Sequence, residues 1–328
     1  MNHRQRIENC LNQAPIDRIP VTLWRHFPVD DQNPESLAAA IINFQRIFDF
    51  DIVKVTPSSS YCLTDWGVKD VWQGATEGTR EYIRHVISNP EDWAHLPVLD
   101  PTKGKLSEQI TCLQILAKEF GRNTPFIQTI FNPLSQAKNL IGRENLSIHL
   151  RCYPEALHEG LRIITESTIR FISEIEKIGI SGIFFAVQHA QYATLTEDEY
   201  GAFGTKYDLQ VLNSAQNMWI KMLHLHGSDI MFDLFLDYPV NIINWHDQET
   251  SPSLSEVKSR FHGVVCGGLS REKTLVLGTP NHISLEASSA VKATSGERFI
   301  LGTGCVVPIT APYGNIMATR RCVESFSN

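Results

Sequence analysis

The sequence predicts an α/β protein: a (β/α)₈ TIM barrel with a β-hairpin excursion after its second strand, built as a single domain over residues 1–328. Three observations predict it. Eight short apolar runs alternate with stretches of helical periodicity, and short buried parallel strands need helical crossovers. A length of 328 residues fits one large barrel. No internal repeat, low-complexity tract or shift in composition marks a domain boundary.

In chain order, residues 3–12 predict a short helix, which Pro15 and the residues to Arg18 break. Strand one is expected at 19–25. Asn33-Pro34-Glu35 supplies a cap residue, a proline at the first helical position and an early acid, so a helix starts there and runs to about 48. Strand two covers 51–57. Residues 67–88 are β-prone with turn signals at Gly74 and Gly78, which reads as a hairpin on a long loop. A connector at 96–101 leads to a helix at 105–120 and strand three at 125–131. Helical material follows through the 130s and 140s. The helix expected at 154–177 carries Leu157, Leu161, Ile164, Phe171 and Ile175 in rough helical register. Strand four is 182–187, followed by a helix at 200–217. The fifth strand is Trp219-Ile-Lys-Met-Leu-His-Leu-His-Gly227. Strands six, seven and eight fall at 240–245, 263–267 and 299–303, with helices at 253–260, 281–294 and 313–326.

Composition narrows the function classes. The hydrophobic fraction of 42% and charged fraction of 20% are ordinary for a globular enzyme. A formal net charge of −7 leaves no electrostatic footprint for nucleic acid or an anionic membrane. No apolar run is long enough to span a bilayer, and the N-terminus leads into an amphipathic segment rather than a secretory leader. Seven cysteines with no CxxC spacing argue against a disulfide framework and for a reducing, cytoplasmic setting.

Barrel active sites lie at the C-terminal ends of the strands, and these ends are unusually polar here. They carry Arg25 and His26, Ser58 to Ser60, Asn132, Gln188 and His189, His224 and His226, His246 and Asp247, and Thr303 with Cys305. Side chains alternate along a strand with a period of two, so Met222, His224 and His226 share one face of strand five. Strand eight runs through Gly302-Thr303-Gly304 and delivers Cys305. His224, His226 and Cys305 can therefore converge on one divalent metal, with Asp247 as a fourth ligand or the acceptor that sets a histidine tautomer. From the residues alone two alternatives stay open: core histidines bonded to backbone beside an inert thiol, and Asp247 as a helix cap or loop turn. Gln188 and His189 are candidates for lining the mouth.

Several phrases together resemble the uroporphyrinogen decarboxylase superfamily over nearly the whole chain. They are Asp17-Arg-Ile-Pro-Val21, Asn132-Pro-Leu, Leu223-His-Leu-His-Gly227, Gly267-Gly-Leu269 and Leu301-Gly-Thr-Gly-Cys305, continuing to Pro308, Pro312 and Asn315-Ile316. The resemblance implies a (β/α)₈ barrel, and the superfamily holds both decarboxylases and zinc-dependent methyltransferases that serve corrinoid proteins and thiols. The decarboxylase pattern is matched at Arg25 but broken at Val29, at Thr56-Pro-Ser-Ser where an acid is expected, near Lys138 and Asn139 where a tyrosine is expected, and at Thr303 where a histidine is expected. A substrate with many carboxylates needs cationic partners. The methyltransferase pattern is matched at His224 and Cys305, with His226 standing where that branch has a cysteine.

The resemblance therefore implies a methyl transfer between a corrinoid or methylated donor and a thiol. Zn²⁺ is expected on His224, His226 and Cys305, with Arg25, His246 and Asp247 as catalytic candidates and Asn132, Gln188 and His189 as cofactor-binding candidates. The partners implied are a small-molecule substrate and a corrinoid protein, and the assembly state is open, a homodimer included. The competing readings are a diverged uroporphyrinogen decarboxylase and a non-catalytic barrel that binds a tetrapyrrole or another small ligand.

Overall fold

A computed structural model describes residues 1–326. The strands, in chain order, are β1 (Val53–Val55), β2 (Lys69–Val71), β3 (Glu81–Arg84), β4 (Phe126–Phe131), β5 (Gly182–Val187), β6 (Ile220–Leu225), β7 (Ile242–Trp245), β8 (Val264–Leu269) and β9 (Phe299–Thr303). Seven of them form one curled sheet in the order β1-β4-β5-β6-β7-β8-β9. Every pairing in it is parallel. Helices such as Gly104–Phe120, Pro154–Glu176 and Pro280–Thr294 connect successive strands. The strands β4, β5 and β8 are buried along their whole length, because a parallel sheet covered by helices hides both faces. β2 and β3 pair antiparallel as the hairpin expected between 67 and 88.

Strand one departs from expectation. Residues 19–25 make only an isolated parallel bridge, Val21 with Leu301. Pro20 has no N–H to donate, although its carbonyl accepts from Leu301 N, and Thr22 N donates to Leu301 O. On the other side Asp51 N donates to Val21 O and Thr22 Oγ1 donates to Ile52 O. The Val21 N–H goes to the Asp51 carboxylate at 2.8 Å instead of to a strand. The sheet thus closes through a coil segment bonded to both edge regions, not through a continuous eighth ladder.

That closure is held by charge. Asp51 is fully buried and receives Arg6 at 2.6 Å, Arg18 at 2.7 Å and His3 at 2.9 Å. Burial works against its ionisation, but His3, Arg18 and Arg6 hold the carboxyl at about 2. Close backbone approach matters between β5 and β6, where a Cβ on Gly182 would lie 1.7 Å from Ile220 O. The helix expected at 200–217 begins earlier, at Glu197, because Thr196 and Glu199 form a reciprocal capping box. It then passes through a π-helical turn, Gly201–Thr205, into Lys206–Ser214.

Candidate metal centre

β6 presents His224 inward and ends at Leu225, so His226 sits one residue past the strand at the cleft. His226 N donates to Val187 O, and the chain turns away at Gly227, whose φ of +96° favours glycine. From β9 the chain reaches Cys305 through Gly304. A Cβ on Gly304 would lie 2.6 Å from His246 Cα and 2.7 Å from Trp245 O, so the residue's small size lets the two strand ends touch. His224, His226, His246 and Cys305 each offer a donor atom, and these atoms all lie within 4.8 Å of one another. The Cys305 Sγ is 3.9 Å from His224 Nε2 and 3.7 Å from His226 Nδ1.

The surroundings decide which ring nitrogens are free. Asn244 Nδ2 donates to Cys266 O at 2.9 Å and Thr303 O at 3.0 Å, so its Oδ1 is the acceptor that faces His224 Nδ1 at 2.7 Å. His224 Nδ1 therefore carries the proton, and its Nε2 lone pair faces the sulfur. His246 Nδ1 lies 3.2 Å from Glu249 Oε2, while its buried Nε2 has no hydrogen-bond partner. Burial lowers the His224 and His226 pKa values, His224 well below its ordinary range with the neighbouring imidazoles adding to the effect. Both rings are neutral at pH 7 and ready to ligate. Around one zinc, nitrogens at ~2.0–2.1 Å and sulfur at ~2.3 Å stand roughly 3.3–3.6 Å apart, so the donor set fits after a small contraction.

A chain of ion pairs reaches the centre from outside. Glu249 Oε1 accepts from Arg271 Nε at 3.0 Å, and Arg271 also pairs with Glu77 from the turn of the β2–β3 hairpin. Glu77, Trp24, Lys54, Ser59, Phe131, Phe184 and Gln188 line one cleft together with His224, His226 and Cys305.

The remaining expected residues divide. Asp247 is not in the donor group: its Oδ2 accepts from Gly268 N at 2.9 Å and from Gln248 Nε2 at 2.8 Å. The fourth donor is its neighbour His246, and the acceptor that sets the His224 tautomer is Asn244. Burial lifts the Asp247 carboxyl to about 7. Arg25 is not among the residues that line this cleft; its Nε donates to His26 O and its guanidinium lies 5.5 Å from the centre of the Phe27 ring. Asn132 serves the fold, capping the next helix through Ser135 N and donating to Asp208. Gln188 lines the cleft. His189 is buried with an unpartnered Nδ1, and burial, followed by Lys138 and Arg143, pushes its pKa down to about 3.

Sequence reasoning missed Asn244, Glu249 and Lys54. Lys54 was visible as a charged residue inside the apolar run of β1; burial pushes its pKa down to about 7, with Cys305 opposing.

A family model described as "Uroporphyrinogen decarboxylase (URO-D)" matches residues 2–326. The "Methylcobamide:CoM methyltransferase MtbA" of Methanosarcina acetivorans is 19% identical, covering 98% of both chains. The MtaA protein of the same name from Methanosarcina barkeri is 21% identical over 96% of this chain and 95% of its own. Among solved structures, a methyltransferase from Methanosarcina mazei superposes with a TM-score of 0.85 at 17% identity, covering 99% of each chain. A B12-independent methionine synthase from Shewanella sp. W3-18-1 gives 0.59 at 12% identity, over 95% of this chain and 93% of that one. These likenesses show the fold.

Proposed function

The chain belongs to the uroporphyrinogen decarboxylase family, and from that premise we propose a zinc-dependent methyltransferase that passes a methyl group from a corrinoid or other methylated donor to a thiol. The observation that carries this reading is the convergence of three imidazoles and one thiol at the strand ends. The printed activity of the relatives, methylcobamide:CoM methyl transfer, agrees with it. The proposed ligands are His224, His226, His246 and Cys305, with residues 1–328 acting as one domain. Bound zinc would lower the pKa of a thiol joining it, so that the thiol reacts as thiolate at neutral pH.

The chain's own residues prepare that chemistry. Asn244 holds the His224 ring with its free nitrogen toward Cys305, and Glu249 does the same for His246. His226 is the one ligand candidate of the four that is not fully buried, so the incoming sulfur would approach on its side and take its place, since four protein donors would fill a tetrahedral zinc. Trp24, Phe131 and Phe184 give the cleft an apolar wall that excludes water around the reacting groups. Porphyrinogen decarboxylation has no comparable support: Arg25 is turned onto Phe27, and Thr303 Oγ1 is spent on Cys305 O.

The test is elemental analysis of protein purified without added metal, followed by methyl transfer from methylcobalamin to a small thiol. Near-stoichiometric zinc is expected in the wild type and in Asp247→Ala, with strong loss in His224→Ala and His246→Ala. Transfer should track zinc content. Folded wild-type protein that takes up no zinc at micromolar concentrations overturns the reading.

A further inference from the structure

The β2–β3 hairpin has little packing of its own, since both strands are exposed or half-buried along their length. Its tip nonetheless reaches the cleft, where Glu77 and Thr79 form part of the lining. Three contacts seat it there. Ile309 N donates to Thr76 O at 2.7 Å. Gly78, at a φ of +76°, lies so close to His26 that a Cβ would stand 2.5 Å from the His26 Cβ. Glu77 pairs with Arg271.

The third contact continues inward. Arg271, its side chain 11% exposed, is shared between two carboxylates. Its Nη1 serves Glu77, and its Nε donates to Glu249 Oε1 at 3.0 Å. The other Glu249 oxygen faces His246 Nδ1 at 3.2 Å, which leaves that ring's Nε2 to the donor group. An arginine freed of one carboxylate can take the other through two N–H groups at once. With Glu77 withdrawn, Arg271 is therefore able to claim both oxygens of Glu249, and His246 loses the acceptor that fixes its tautomer.

We propose that the hairpin is a lid latched to the metal centre, with Arg271 as a positioning residue: closure of the tip and metal binding at His246 support each other through Glu77, Arg271 and Glu249. The metal end rests on the zinc-dependent reading of the function; the latch end rests on the hairpin's own contacts. Coupling of this kind is reciprocal, so whatever the closed tip adds to zinc affinity, zinc returns to closure.

Competition with a chromogenic chelator measures zinc affinity, and deuterium uptake at residues 75–80 measures closure. Glu77→Gln removes the charge of the latch. Gly78→Ala leaves every charge in place and crowds the tip off His26. Each should weaken zinc binding about 5-fold or more, and zinc should slow exchange at the wild-type tip by a similar factor. Glu249→Ala should weaken zinc binding by about 10- to 100-fold and, at saturating zinc, abolish the protection of the tip. Undiminished zinc affinity in Glu77→Gln or Gly78→Ala overturns the latch while the zinc reading stands. So does a wild-type tip whose exchange ignores zinc, or protection that survives Glu249→Ala. Wild-type protein that binds no zinc overturns both.

Discussion

Replacing Asn244 by alanine probes the centre without touching a ligand. The side chain is fully buried and makes three hydrogen bonds, one to His224 Nδ1 and two to the carbonyls of Cys266 and Thr303. It thereby ties β6, β8 and β9 together from β7. Three lost bonds at about 1 kcal/mol net each suggest a stability loss of about 3 kcal/mol. The consequence for the metal is separate. With its Nδ1 proton unclaimed, His224 is free to change tautomer and rotate, and loss of such a supporting partner costs 10–100-fold in metal affinity. At 1.4 kcal/mol per tenfold, that is about 1.4–2.8 kcal/mol of binding free energy. Urea unfolding of the metal-free protein measures the first quantity; competition for zinc with a chromogenic chelator measures the second. If stability falls as expected while zinc affinity stays within about threefold of the wild type, well inside the 10–100-fold expected, packing against Phe184 rather than Asn244 orients His224, and the reasoning is refuted.

Three further perturbations follow from the fold. Asp51→Ala strands Arg6 and Arg18 without their buried partner and should cost about 3–5 kcal/mol in urea melts at pH 7. Because the Asp51 carboxyl is held below its ordinary value, its contribution is present above about pH 4 and fades as pH falls toward 2, so the variant's deficit should shrink in acid; a constant deficit argues against an ionic role. Asp208 accepts from Tyr200, Asn132 and Tyr238, yet burial lifts its carboxyl to about 7. A raised carboxyl stabilises below about pH 4 and loses that stabilisation as pH climbs through 7. Asp208→Asn should thus gain on the wild type by about 2–3 kcal/mol between pH 5 and pH 8, and parallel stability curves would contradict this. Gly182→Ala pushes a methyl group into Ile220 O across the β5–β6 ladder and should lower the melting temperature, with a loss of roughly 1–3 kcal/mol or more; an unchanged melt would mean that the strands can part at no cost.

What was legible depended on periodicity. The alternating pattern of strand five put His224 and His226 on one face, and the structure places their rings 5.8 Å apart. The same period, carried along β7 from Asn244 past the strand end, puts His246 inward with the other donors and Asp247 outward onto Gly268 N. Lys54 needed the same step: a lysine flanked by two buried valines in a fully covered strand has nowhere to put its charge but the barrel interior. Strand one misled because apolar residues after a proline read as a strand, whereas the missing Pro20 N–H and the claim of Asp51 on Val21 N cannot be seen in a pattern of hydrophobicity. The early start of the helix at Glu197 was written in Thr196 and Glu199; the π-turn after it had no such signature.

The coil that closes the sheet also sets the order in which the barrel opens. Amides within the β4–β5–β6 ladders are shielded by parallel neighbours on each side, whereas the segment around residues 20–24 has no continuous ladder and is held by two bonds with Leu301, two with Asp51 and one each with Ile52 and Val307. Opening free energies are lowest where ladder bonds are fewest, so deuterium should enter this segment before the histidine strand. Trp24 lies in the same segment and forms part of the wall beside Lys54. One border of the cleft is thus a stretch without a continuous ladder, while the metal-ligand side rests on β6, paired along its length with β5 and β7.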